Sequence, residues 1–100
     1  MARPEARVVE VRDAEGRTLA IRELTALDHL RLLKAAGPEL AHNDAWLDMA
    51  GLVFALVEVD GRPRPIPTSE HQIEAGVREL GTSGLRAIAD GLRDFEKARP

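Results

Sequence analysis

Between Leu24 and Pro38 the chain reads LTALDHLRLLKAAGP, which puts a carboxylate (Asp28), an imidazole (His29), a guanidinium (Arg31) and an amine (Lys34) within seven positions. Such a set could do acid–base chemistry, with the imidazole moving a proton, the acid orienting it and a cation steadying negative charge. That chemistry requires the groups to converge. On a helix they do not: at about 100° per residue, Asp28 and Arg31 fall together on a polar face, while His29 sits at the edge of the apolar face beside Leu32 and Leu33. Thr25 followed three residues later by Asp28 is a capping-box pattern, so the aspartate has a structural role at the helix N-terminus. Leu27, Leu30 and Leu33 share one face, read as the core-facing side, and Gly37-Pro38 stops the helix. Leu32 projects towards the polar side. There it could widen the core or serve a docking surface, which makes it the one candidate partner-binding residue.

Other chemistry finds less support. His29, His42 and His71 are far apart and none pairs at the i,i+4 spacing of a helical metal site. Neither DAEGRT nor GTSG matches a phosphate-binding loop, and Ser69 and Ser83 have no nucleophile-elbow context. The carboxylates fall where helices need caps or wet faces. The expectation is therefore a protein with no catalytic, metal-binding or cofactor-binding residues. Composition agrees: a formal net charge of −3 lacks the basic stripe of a nucleic-acid binder, and zero cysteines leave no disulfide framework or thiolate nucleophile, as suits a reducing cytoplasm. The N-terminal MARPEARVVEV lacks an apolar signal-peptide core, and no apolar run reaches the ~18–20 residues of a membrane span.

The elements that would position these residues follow from periodicity. One hundred residues make a single domain, 1–100, of α+β class and mostly helical. A β-hairpin is expected over 7–24, with Val9, Val11, Leu19 and Ile21 on its apolar side and DAEG, including a positive-φ Gly16, as its turn. The helical part, 25–97, should hold about four short helices. After the capped Thr25 helix, Asn43 or Asp44 caps DAWLDMAGLVFALVEV, apolar on most of its circumference and hence the central helix, with Trp46, Met49, Val53 and Leu56 among the most buried residues. Gly51 and Ala55 leave a narrow back that could admit a close neighbour. Asp60-Gly61 signals a turn, and Pro63, Pro65 and Pro67 exclude a central strand, making 60–68 an extended surface connector. Ser69 with Gln72 caps a helix with seam Ile73, Val77 and Leu80 that stops at Gly81; Thr82 or Ser83 opens a last helix with Leu85, Ile88, Leu92 and Phe95 inward, and the tail KARP frays.

In this order, the segments DAEGRTLAIRELTALDHLRLLKAAGP, NDAWL, VDGRPRPIPTSEHQIEAGVRELG and GLRAIADGL resemble the small tail assembly chaperones of tailed phages and prophages over roughly residues 9 to 95. The resemblance implies a non-enzymatic protein of the infected or lysogenic bacterial cytoplasm that binds the tape-measure protein before the tail tube polymerises, and that commonly forms oligomers. It transfers no contact residue. The physics agrees in kind, because amphipathic helices beside an open strand edge can cover the apolar stripes of a long helical partner. A homo-oligomer is expected, using the hairpin edge and Leu32. The alternative is a small prophage-encoded regulatory or antitoxin-like module, although Arg86, Arg93 and Lys97 of the last helix are balanced by Asp90, Asp94 and Glu96. A third reading is a small enzyme built on His29 and nearby acids.

Overall fold

The computed structural model describes residues 8–97, so the expected hairpin start at Arg7 and the fraying of 98–100 lie outside the described residues. The order is β1 (Val8–Arg12), β2 (Thr18–Arg22), α1 (Ala26–Leu40), α2 (Asp44–Ala55), β3 (Leu56–Val59), β4 (Arg62–Pro63) and α3 (Glu70–Lys97). The class is α+β with helix predominating, as expected. Two counts differ from expectation: there are three helices rather than about four, and the β-part is a four-stranded antiparallel sheet, β1-β2-β3-β4, rather than an N-terminal hairpin alone.

The helix count falls because glycine bends the chain where a stop was expected. Gly37 (φ 82°, ψ 174°) and Gly81 (φ 65°, ψ −175°) adopt a conformation essentially reserved for glycine, and the backbone re-enters helix immediately after each. The Gly81 bend is held from outside. Arg17 donates from Nη1 to the Glu79 carbonyl (3.0 Å) and from Nη2 to the Leu80 carbonyl (2.7 Å), satisfying the last carbonyls of the first limb of α3. Asp13 holds Arg17 in place through its Nε (2.7 Å), and accepts from the backbone N–H groups of Glu15 (3.0 Å) and Arg17 (2.9 Å). Burial pushes the Asp13 carboxyl pKa up, but these hydrogen bonds outweigh it and hold the group below its ordinary value. On the same turn the Ala14 N–H donates to Ser83 Oγ at the start of the second limb (2.8 Å), so Ser83 is used in docking the β1–β2 turn.

The second correction concerns the central helix. It was expected to run to Val59, yet α2 ends at Ala55 and Leu56–Val59 becomes a strand beside β2, with Leu19 opposite Val59 and Ala20 opposite Glu58. Asp60 (φ 50°) and Gly61 (φ 81°) then make a two-residue hairpin turn into β4. The Arg64 N–H continues the ladder to the Val57 carbonyl (2.8 Å). The prolines at 63 and 65 place their missing donors on the alternate, outward side, so β4 is an edge strand that resists further pairing.

Val9 lies opposite Ile21 and Val11 opposite Leu19, and this side of the sheet packs on α3, whose Leu80, Leu85, Ile88 and Phe95 are buried with it. Gly91 permits the approach: a Cβ there would lie 2.6 Å from Ile21 Cδ1 and 2.8 Å from Val11 Cγ1. A second cluster joins Leu32, Ala50, Phe54 and Ile73, and Leu24 packs against both. Among the residues expected deepest, Val53 and Leu56 are buried, Trp46 is half-buried and Met49 is exposed, because the side of α2 that packs inward is the one carrying Ala50, Val53 and Phe54. The close helix approach is at Gly76 against Val53, rather than along Gly51 and Ala55.

Candidate functional site

The N-terminus of α1 carries the capping box: Thr25 Oγ1 accepts from the Asp28 N–H (3.2 Å) and Asp28 Oδ2 accepts from the Thr25 N–H (2.7 Å). Asp28 has a second partner, which turns it inward. Arg22, at the end of β2, grips the carboxylate with both terminal nitrogens (2.6 and 3.0 Å) and reaches the Phe54 carbonyl near the end of α2 (3.3 Å). Burial would raise the Asp28 pKa, but the Arg22 guanidinium and the Thr25 donors more than compensate and hold it at about 2. The pair ties β2, α1 and α2 together.

This pair decides which side of α1 is inside. Asp28, Leu32 and Ala36 follow at four-residue intervals and are all buried, Leu32 at 5% exposure. Of the two roles open to Leu32, widening the core or serving a docking surface, the structure shows the first: it packs with Ala50, Phe54 and Ile73 and leaves only an edge in the groove towards α2. The face expected to be the core side is the exposed one: Leu27 is 51%, Leu30 66% and Leu33 42% exposed. At three-residue spacing these side chains step round the helix by about 60° each, forming a diagonal ridge across its outer surface.

Each flank of the ridge opens into a groove. Towards α2, a groove of about 280 Å³ is lined by Leu24, His29, Leu32, Leu33, Leu47 and Leu92, among others, with Asp48 at its polar margin. On the opposite flank, towards the segment following β4, a groove of about 310 Å³ is lined by Arg31, Lys34, Ala35, Ile66, Pro67 and Thr68. Asp28, His29 and Arg31 thus do not converge: Asp28 is buried on Arg22, while His29 and Arg31 border different grooves. His42 and His71 are exposed, and among the described residues no group of three His, Asp or Glu side chains could hold a metal ion. Ser69 Oγ accepts from the Gln72 N–H (3.2 Å), and Gln72 returns a bond to the Thr68 N–H (2.8 Å), so Ser69 acts as a cap.

What the arrangement offers is an apolar relief rimmed by polar groups, the usual form of a protein-contact surface. The signal that could have found it is Arg22, six residues before Asp28: a cation able to neutralise a capping acid makes the acid's face a candidate for the inside. No family model, curated protein or solved structure matches this chain. Among the described residues no helix is long and apolar enough to cross a membrane.

Proposed function

We propose that the protein is a non-enzymatic binding module of the tail assembly chaperone kind, which covers apolar helical stripes of a phage or prophage tape-measure protein in the bacterial cytoplasm until the tail tube polymerises. The observation that carries this reading is the exposure of Leu27, Leu30 and Leu33 together on a helix whose other side is fully committed to the core. A soluble domain keeps large side chains in water at such spacing where a partner helix covers them, and i, i+3, i+6 leucines are the complement of an amphipathic helix. The order of segments that resembles the chaperone family favours a tape-measure protein as the partner. The test is co-expression of a tape-measure fragment with the wild-type chain and with Leu30→Glu. Wild type should increase the soluble yield of the fragment and the variant should not. Equal yields with wild type, variant and empty vector, both proteins being folded, would refute the reading.

A further inference from the structure

We infer that the outer face of α1 selects its partner by charge as well as by shape: it takes an amphipathic helix whose apolar stripe carries carboxylates along the side that meets Arg31 and Lys34. The inference rests on the proposed binding role and specifies the chemistry of the bound segment. In the stretch Ala26–Ala36 the sole acid is Asp28, which is buried and neutralised by Arg22, so it contributes no negative charge to the outer surface. While Asp48 borders the groove towards α2, the charged side chains on the opposite flank of the ridge are Arg31 and Lys34. Both are exposed, and neither joins an ion pair among the described residues. They line a groove whose apolar floor is Ala35, Pro67 and the exposed Ile66, with no acid in its lining.

A leucine ridge with two unpaired cations on one flank complements a helix that places apolar residues on the ridge and Glu or Asp over Arg31 and Lys34. No helix among the described residues offers such a stripe itself. The acids on α3 (Glu70, Glu74, Glu79, Asp90, Asp94 and Glu96) stand where none of the large exposed apolar side chains lies, and α2, with Asp44 and Asp48, exposes the single large apolar side chain Met49 rather than a stripe. The occupant is therefore a different polypeptide rather than a second copy.

Two synthetic helical peptides test this: one with leucines at i, i+3, i+4 and i+7 flanked by glutamates, and one with lysines replacing the glutamates. Both are titrated into the full chain by calorimetry and by methyl chemical-shift mapping. The glutamate peptide should bind at least ~10-fold more tightly at low salt, lose much of that margin as ionic strength rises, and perturb Leu27 and Leu30. Arg31→Glu/Lys34→Glu should reverse the preference and Leu30→Glu should remove both affinities, while the thermal midpoints of all variants stay at the wild-type value.

Equal binding of the two peptides would overturn the charge rule and leave the chaperone reading standing. If neither peptide binds while the tape-measure fragment is still solubilised, the α1 surface is the wrong one. If the glutamate peptide binds and is discriminated, but no tape-measure fragment is solubilised, the surface is right and the proposed partner is wrong. A change in sedimentation of the protein alone on Leu30→Glu would assign the face to a second copy and overturn the inference.

Discussion

Replacing Asp28 with asparagine keeps its shape and removes its charge, leaving the Arg22 guanidinium half-buried beside a neutral amide. The pKa of the carboxyl sets the scale. Its ordinary value is 3.8 and the folded protein holds it at about 2, a gap that at about 1.36 kcal/mol per pH unit corresponds to roughly 2 kcal/mol. Stranding one member of a buried pair commonly costs ~3–5 kcal/mol, so Asp28→Asn, which keeps some hydrogen bonding, should cost about 2–4 kcal/mol. In urea, with a slope of ~1.5 kcal/mol per molar for a small domain, the midpoint should fall by roughly 1.3–2.7 M. Trp46, the one tryptophan, sits on α2 and reports the transition by fluorescence. The pH dependence has a definite sign. Because the folded-state pKa is depressed, the unfolded chain binds the proton first on acidification; the Asp28 contribution is complete above about pH 5 and drains as pH falls through 3.8 towards 2. Wild type should lose roughly 2 kcal/mol over that window from this group, and the variant should lack that part of the slope. Arg22→Met alone should be equally damaging, whereas Arg22→Met/Asp28→Leu should recover much of the loss. A variant with the wild-type midpoint and an unchanged acid slope would refute the inward orientation of α1 that the pair enforces.

The two leucines on either side of α1 make the sharpest contrast: Leu32→Glu should abolish cooperative unfolding by burying an unpaired charge, while Leu30→Glu should leave the unfolding free energy within ~0.5 kcal/mol of wild type. Val53→Asp should likewise unfold the domain, and a native-like far-UV spectrum for it would contradict the packing of α2. Gly76→Ala would bring a Cβ to 2.5 Å from Val53 Cγ1, so overpacking of ~1–3 kcal/mol should exceed the helix-propensity gain of up to ~1 kcal/mol and lower the melting temperature. Gly81→Ala should destabilise by about 1–3 kcal/mol in chemical denaturation, since its backbone conformation excludes a Cβ-bearing residue. Self-association, tested by sedimentation over a wide concentration range, should use the β1 edge, which pairs with no further strand among the described residues, and be unaffected by Leu30→Glu.

The parts of this protein that its sequence determined by itself are those set within one turn of backbone. Thr25, Asn43 and Ser69 cap helices because their side-chain oxygens reach the free N–H groups two or three residues on. Gly16, Asp60-Gly61 and Gly81 mark changes of direction because they tolerate positive φ, and the seams Ile73–Leu80 and Leu85–Phe95 fall inward by helical period alone. Three decisions belong to the tertiary structure. The run LVEV suits helix or strand equally; it becomes β3 because β2 supplies backbone partners some forty residues earlier, which no local propensity reports. Gly81 bends rather than ends its helix because the limb beyond it packs Leu85, Ile88 and Phe95 in the core and because Arg17 holds the turn. The face of α1 that meets water was decided by a charge on another element: two leucine-bearing faces were available, and Arg22 made burial of Asp28 favourable, so Leu32 went in and Leu27, Leu30 and Leu33 stayed out.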